Sequence, residues 1–206
     1  MGMAKVIKFN NQTPLKFGHH KVKKKKKKID LEEYGQLNLF EEGEEARVIK
    51  LGRQESPFEE ALLLDENENE TAREAYLKAI ESNDCLPDAY CNLGILESKM
   101  GDTAKAIKYL TLCLKEESSH FEAHYNLANI YFEAENYELA KMHYEVSIEL
   151  KPNFSFSYYN LGLVLAITNN TKEAIDVLNK YKNFANFEEK INADELIQKL
   201  KKSLKQ

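Results

Sequence analysis

The chain is poor in the residues that mark several common protein classes. Its 206 residues include no tryptophan, three cysteines, four prolines and eight glycines. The odd cysteine count without paired spacing argues against a disulfide scaffold, so Cys85, Cys91 and Cys113 are expected to be reduced thiols. No stretch approaches the roughly 18 consecutive apolar residues of a membrane-spanning helix, and residues 1–30 lack the apolar centre of a secretory signal. These absences predict a cytosolic protein without a membrane span.

Recognisable catalytic patterns are also missing. The sequence contains no Ser/His/Asp constellation, no glycine-rich phosphate loop and no paired metal-ligand spacing. Of the five histidines, His19 and His20 are adjacent, which is weak support for metal binding, and His124 falls in a column of packing residues. We therefore expect a protein without an active site, a metal site or a cofactor.

Charge divides the chain into two parts. Residues 1–28 hold ten lysines and no acidic residue, which leaves 19 basic residues against 34 acidic ones in the remainder. Such asymmetry is typical of a basic arm attached to an acidic body. The two parts are expected to have different partners, or to touch each other.

An internal repeat is the strongest signal in the sequence. Residues 88–94, 122–128 and 156–162 align at a spacing of 34, and further columns share that period. The recurring positions are a ring (Tyr90, His124, Tyr158), a leucine (Leu93, Leu127, Leu161), a small residue (Gly94, Ala128, Gly162), an alanine (Ala72, Ala106, Ala140, Ala174) and a bulky residue (Tyr76, Leu110, Tyr144, Leu178). Several columns in one register indicate a repeat architecture.

These columns resemble the tetratricopeptide repeat (TPR) family, whose unit is a 34-residue helical hairpin. Tyrosine or histidine replaces the usual tryptophan, the unit-ending proline occurs only at Pro152, and Glu60 stands where the first unit should have a small residue. The resemblance implies an all-α fold, a right-handed superhelical array of about four hairpins at 55–186 with a capping helix at 187–206. Its units would be 55–86, 87–120, 121–154 and 155–186, preceded by a largely unstructured arm at 1–54.

Local chemistry fits this division into hairpins. Small residues let two helices approach closely, so Gly94 and Gly162 are expected to face the alanines of the second helices. Asp102, Asn136 and Asn170 precede the second helices and are good N-cap residues. The final helix carries an apolar stripe at helical spacing, which predicts that it covers the last hairpin. The stripe consists of Ala193, Leu196, Ile197, Leu200 and Leu204.

By resemblance, the first helix of each hairpin lines a concave groove that binds protein segments. The groove residues would be an amide ladder, Asn92, Asn126 and Asn160, with Tyr125, Tyr159, Asn129 and Phe132 beside it. A primary amide both donates and accepts, so such a row could pair with the backbone of an extended peptide. The alternative is that these asparagines bond within the array. Family members that clamp chaperone carboxylates use lysine, arginine and asparagine, and here only Lys99 is nearby, so that clamp is incomplete.

The lysine run provides an alternative function. Lys23, Lys24, Lys25, Lys26, Lys27 and Lys28 could bind nucleic acid or another polyanion by displacing condensed counterions. No aromatic residues interrupt the run to stack on bases. A solubilising run, or one that folds back on the acidic body, explains the same pattern.

A short segment at residues 36–40 resembles the peptide by which bacterial replication and repair proteins dock on the polymerase sliding clamp. Gln36, Leu37, Leu39 and Phe40 match that pattern, whereas Asn38 departs from it. Five residues are a weak motif, and an anchor that packs on the first hairpin is the competing interpretation. The leading hypothesis is thus a non-enzymatic adaptor that binds a protein segment. The alternatives are a nucleic-acid-associated accessory factor and a structural subunit of a larger assembly.

Overall fold

The structure is a computed structural model that describes residues 55–204. This range contains nine α-helices and no β-strand. The helices are α1 (Pro57–Glu66), α2 (Ala72–Glu81), α3 (Leu86–Lys99), α4 (Thr103–Glu116), α5 (Phe121–Glu133), α6 (Tyr137–Leu150), α7 (Ser155–Ile167), α8 (Thr171–Tyr181) and α9 (Phe187–Ser203). The predicted arm at 1–54 lies outside the described residues.

The helices pack as a chain of hairpins. Within each hairpin the two helices pack on each other, as in α3 with α4 and α5 with α6. Each second helix also packs on the first helix of the next hairpin, and α9 packs on α8. A hairpin therefore buries its apolar face only when its neighbour is present. The all-α array of four hairpins with a final helix, expected from the sequence, is confirmed.

Two glycines allow the closest approach inside the hairpins. A Cβ added to Gly94 would lie 2.8 Å from Cγ of Leu110 and 3.2 Å from the carbonyl oxygen of Ala106. A Cβ added to Gly162 would lie 2.8 Å from Cγ of Leu178. The expected facing residues were the alanines, with leucines beside them. The leucine one turn later occupies most of the space, because its side chain leans back towards the start of its own helix.

Helix starts follow the capping pattern at most positions. The side chains of Asp102 and Asn136 accept hydrogen bonds from the backbone N–H groups of Lys105 and Leu139. Asn170 occupies the N-cap position of α8 but makes no side-chain capping bond. Its amide instead donates to Oγ1 of Thr168 at 3.2 Å. The expectation for the N-caps is thus confirmed for two of these three residues.

The first hairpin departs from the register of the others. Its connection spans residues 67–71, whereas the equivalent connection in the second hairpin spans only 100–102. Glu60 is exposed, and the neighbouring Ala61 takes the buried position instead. The buried carboxylate of Asp65 accepts a hydrogen bond from the Tyr76 hydroxyl at 3.1 Å. The buried small residue therefore lies one residue later than the repeat period predicts, which explains why the small-residue column fails in this unit.

Within residues 55–204, the buried apolar residues form three clusters of unequal size. The largest joins α5 to α9, and it includes Tyr144, Leu178 and Leu200. Smaller clusters lie between α3, α4 and α5 and around α1 and α2. In α9 the predicted stripe is buried except for Leu204, which remains 49% exposed. The final helix therefore closes the C-terminal end of the largest cluster.

Candidate functional site

The amide ladder predicted from the sequence is buried. Asn92, Asn126 and Asn160 have no exposed surface in this structure. The Asn126 amide donates to the carbonyl oxygen of Glu122 at 2.8 Å, and Asn92 hydrogen-bonds with the hydroxyl of Tyr76. These bonds satisfy polar groups that would be costly to bury alone.

The third ladder residue joins a network between the last two hairpins. The amide of Asn160 donates to Oδ1 of Asn129 at 3.1 Å and to the hydroxyl oxygen of Tyr125 at 3.4 Å. The hydroxyl of Tyr144 donates to the same Asn129 oxygen at 2.6 Å, and burial raises the pKa of Tyr144 well above its ordinary value.

In this structure the ladder asparagines present no surface to a peptide. A tyrosine from the second helix of the preceding hairpin hydrogen-bonds with two of them, Tyr76 with Asn92 and Tyr144 with Asn160. Tyr125 and Asn129 are also almost completely buried. The competing interpretation, in which the ladder bonds within the array, agrees with the structure.

Two other predicted groove residues differ in their surroundings. Tyr159 is buried, and its ring lies 5.3 Å from that of Tyr181. Phe132 is half-buried, and it makes an edge contact with Tyr137 at 5.7 Å. Among the predicted groove residues, Phe132 is therefore the one that keeps accessible ring surface.

Aromatic rings lie together where the third and fourth hairpins meet. We call Phe121, Tyr125, Phe154 and Phe156 the aromatic patch. The Phe154 ring lies 5.1 Å from those of Phe121 and Tyr125 and 5.3 Å from that of Phe156. Phe121 and Phe156 are partly exposed, and the other two are buried. The patch thus has a fixed base and two accessible rings.

Acidic groups lie beside the aromatic patch. Asp88 and Glu122 occupy the same column of the repeat as Phe156, at the starts of α3, α5 and α7. Their side chains are partly exposed. Burial raises the pKa of the Glu122 carboxyl above its ordinary value. The starts of these first helices therefore carry aromatic and acidic side chains, and Nζ of Lys151 lies 5.7 Å from the centre of the Phe121 ring.

A cluster of three metal-binding side chains lies deeper in the structure. Donor atoms of Cys91, Cys113 and His120 all lie within 4.8 Å of one another, and all three residues are buried. A hydrogen bond from Cys91 is the main cause that lowers the pKa of Cys113, to about 7. Burial lowers the pKa of His120, whereas the hydrogen bonds to Asp88 and Cys113 raise it.

No sequence pattern pointed to this cluster, and the expectation of no metal site was made without knowing that these three side chains meet. Cys91 lies on α3, Cys113 on α4 and His120 at the N-cap of α5. Because the donors come from three elements, no short spacing in the sequence marks them. The repeat itself could have indicated the cluster, because stacked hairpins bring α3 against α4 and α4 against α5.

The remaining predicted sites lie outside the described residues. These are the lysine run at 23–28 and the Gln36, Leu37, Leu39 and Phe40 segment. None of the helices within residues 55–204 has the length and apolar content needed to cross a lipid bilayer.

Comparison with known proteins agrees with the repeat geometry. Sequence profiles described as tetratricopeptide repeat match residues 121–154, and residues 75–108 and 143–176. No curated protein sequence matches this chain. The array of stacked 34-residue helical hairpins defines a helical repeat protein. Together with the profile matches, it places the chain in the tetratricopeptide repeat family.

Solved structures share this fold at low sequence identity. MamA from Desulfovibrio magneticus RS-1 is 18% identical, with a TM-score of 0.57 over 71% of this chain and 92% of that one. A crystal structure of MamA is 19% identical, with a TM-score of 0.56 over 70% and 94%. The first TPR of Spaghetti (RPAP3), bound to the HSP90 peptide SRMEEVD, is 18% identical, with a TM-score of 0.53 over 58% and 94%.

Proposed function

We propose that this chain is a non-enzymatic adaptor that binds an extended protein segment along the first helices of its hairpins. The observation that carries the proposal is the aromatic patch, where Phe121 and Phe156 expose ring surface over a rigid base of Tyr125 and Phe154. Rings held in place by packing supply contact area without much loss of rotamer entropy on binding. The family usually binds partners on this face.

The charge of the surface defines the chemistry of the segment. Asp88 and Glu122 share the repeat column of Phe156 at the helix starts, whereas Lys99 is the only lysine or arginine within α3, α5 and α7. We therefore propose a segment with apolar side chains for the patch and basic residues for the carboxylates. The peptide in the RPAP3 structure, SRMEEVD, ends in acidic residues. That type of peptide suits this surface poorly, in line with the incomplete carboxylate clamp.

The proposed location is the cytoplasm. Cys85, Cys91 and Cys113 form no disulfide, as is usual for proteins in a reducing compartment.

A photo-crosslinking experiment tests the proposed surface. A photoreactive amino acid is placed at Phe156, and in a matched variant at Met142, which is 46% exposed on the second helix α6. Proteins captured in native cells at position 156 but not at position 142 are identified, and the cross-linked segment is mapped. That segment is then made as a synthetic peptide and titrated against the purified protein by calorimetry.

The calorimetric comparison decides the result. Phe156→Ala should weaken peptide binding by about tenfold or more, because aromatic anchors dominate such interfaces. Met142→Ala should bind as the parent does. Unaltered affinity in a folded Phe156→Ala protein would overturn the proposal, and circular dichroism verifies the fold.

A further inference from the structure

The cluster of Cys91, Cys113 and His120 has the composition of a metal site. Its donors are two sulfur atoms and one imidazole nitrogen, all within 4.8 Å of one another. The cysteines are completely buried, and His120 is 5% exposed. Three helices contribute one residue each, so the stacking of the second hairpin on the third creates the cluster.

A carboxylate lies beside the cluster. Oδ1 of Asp88 lies 3.0 Å from Nε2 of His120, and the Asp88 side chain is 31% exposed. An aspartate in this place can provide an oxygen ligand, or it can orient the imidazole through a hydrogen bond. Oε2 of Glu122 lies 3.6 Å from Nδ1 of the same ring. The carboxylates make the site favourable for a cation.

Catalysis and simple packing explain the cluster less well. Cys113, His120 and Asp88 have the residue types of a thiol nucleophile with its base and orienting acid. However, Cys113 has no exposed surface, so a substrate cannot reach its sulfur. Packing accounts for two buried thiols, and the N-cap bond to Ala123 gives His120 a structural role, but neither accounts for the convergence of two sulfurs and an imidazole nitrogen on one point.

We propose that Cys91, Cys113 and His120, with Asp88 beside the imidazole, form a Zn²⁺ site that ties the second hairpin to the third. Two thiolates and an imidazole are ligands that zinc accepts, and the fourth position can hold a water molecule or a carboxylate oxygen. Mg²⁺ and Ca²⁺ prefer all-oxygen surroundings, so this donor set selects against them.

Zinc binding requires one existing hydrogen bond to be exchanged. Nδ1 of His120 accepts from the backbone N–H of Ala123 at 3.2 Å, while Nε2 faces Asp88. Whichever ring nitrogen coordinates the ion, one of these contacts gives way to a metal–ligand bond. Two thiol protons are released at the same time, because the thiolate is the metal ligand.

Cobalt titration of the full chain tests the site. The purified protein is stripped of metal with a chelator, reduced and kept without oxygen, and Co²⁺ is then added. We expect one Co²⁺ per chain to produce a near-ultraviolet thiolate-to-metal charge-transfer band and the strong visible bands of tetrahedral cobalt. Added Zn²⁺ should remove both. A titration without a thiolate band would overturn the proposal.

Variants locate the bound ion. Cys113→Ser and Cys91→Ser should abolish the charge-transfer band, and Asp88→Asn should weaken zinc binding by about 10- to 100-fold. Cys85→Ser removes the one thiol outside the cluster, and His19→Gln/His20→Gln removes the adjacent histidines, so both should leave the titration unchanged. Bands that survive in both cluster variants, or that disappear in Cys85→Ser, would refute the assignment.

Stability of the unmodified chain provides a readout that does not depend on a variant folding. Because the ion would bind the folded state, saturating Zn²⁺ should raise the urea concentration at the midpoint of unfolding. Mg²⁺ at the same concentration serves as the control. An equal midpoint with zinc, with magnesium and without metal would contradict the proposal.

Discussion

The hydroxyl of Tyr144 lies 2.6 Å from Oδ1 of Asn129, and the amide of Asn160 donates to that same oxygen. One buried oxygen thus links α5, α6 and α7. Because these groups have no access to water, each bond replaces one that solvent would otherwise provide. The asparagine column therefore serves to fix how neighbouring hairpins dock.

Removing the Tyr144 hydroxyl should destabilise the array. Tyr144→Phe keeps the ring but deletes the hydrogen bond to Asn129, and we expect a loss of about 1–2 kcal/mol in the free energy of unfolding. Urea unfolding followed by circular dichroism measures this. Tyr137→Phe, at the half-buried first residue of α6, is the control and should change stability much less. Equal effects would show that the buried bond is not responsible.

The final helix should contribute stability through its buried face only. Leu200 has no exposed surface and Leu204 is 49% exposed, one turn later on the same side of the helix. Leu200→Ala should lower the free energy of unfolding by about 2–4 kcal/mol, since it leaves a cavity in the largest cluster. Leu204→Ala should cost less than about 1 kcal/mol. Thermal unfolding of the two variants compares them, and similar losses would contradict the capping role.

Equivalent N-cap residues should differ in their contribution. Asn136 accepts a hydrogen bond from the N–H of Leu139, whereas Asn170 makes no such bond at the same position of the next hairpin. Asn136→Ala should therefore cost about 0.5–1 kcal/mol of stability, and Asn170→Ala should cost less. Urea midpoints of both variants provide the measurement. A larger loss in Asn170→Ala would rule out capping as the cause.

Acid should destabilise the protein through His143. Burial lowers the pKa of His143 to about 4, and the nearby His124 adds to this, its Nδ1 lying 2.9 Å from that of His143. The ordinary value is 6.5, so between these values the unfolded chain binds more protons than the folded one. Stability is therefore lost as pH falls from about 6.5 towards 4, by about 1–2 kcal/mol after allowance for solvent screening.

His143→Phe isolates this effect. The variant keeps a ring to stack on Tyr131, whose ring lies 5.6 Å away and nearly parallel, but it does not titrate. Urea unfolding at about pH 7 and about pH 4.5 should show a smaller acid-induced loss in the variant than in the parent. All other titrating groups are common to both proteins, so an identical loss would exclude His143 as the source.

The fold could be predicted from the sequence because the recurring residues are the ones that pack between the helices of a hairpin. Gly94, Leu110 and Ala106 meet within one hairpin, so their 34-residue period identified the helices that pair. The first hairpin was harder to predict, since Ala61 is buried where the repeat period points to Glu60. A fixed period cannot reveal a shift of one residue inside a unit.

The candidate site was less predictable, because exposure depends on contacts between hairpins. The repeat pattern does not indicate that Tyr76 and Tyr144 hydrogen-bond with Asn92 and Asn160 of the following hairpins. An asparagine that recurs every 34 residues is equally compatible with a ladder that faces solvent. Phe154 and Phe121 belong to different units, and their contact at 5.1 Å follows only from stacking. The same applies to Cys113 and His120, whose separation in sequence suggests no shared site.

Contacts between helices are mostly local, and the largest core lies towards the C-terminal end. Such an array frays from its ends, with each hairpin opening at its own free energy. Amide protons of α1 and α2 should therefore exchange with solvent sooner than those of α7 and α8. A ligand that spans several hairpins would slow this exchange even in segments that it does not touch. Amide exchange in those segments would therefore report that the ligand is bound.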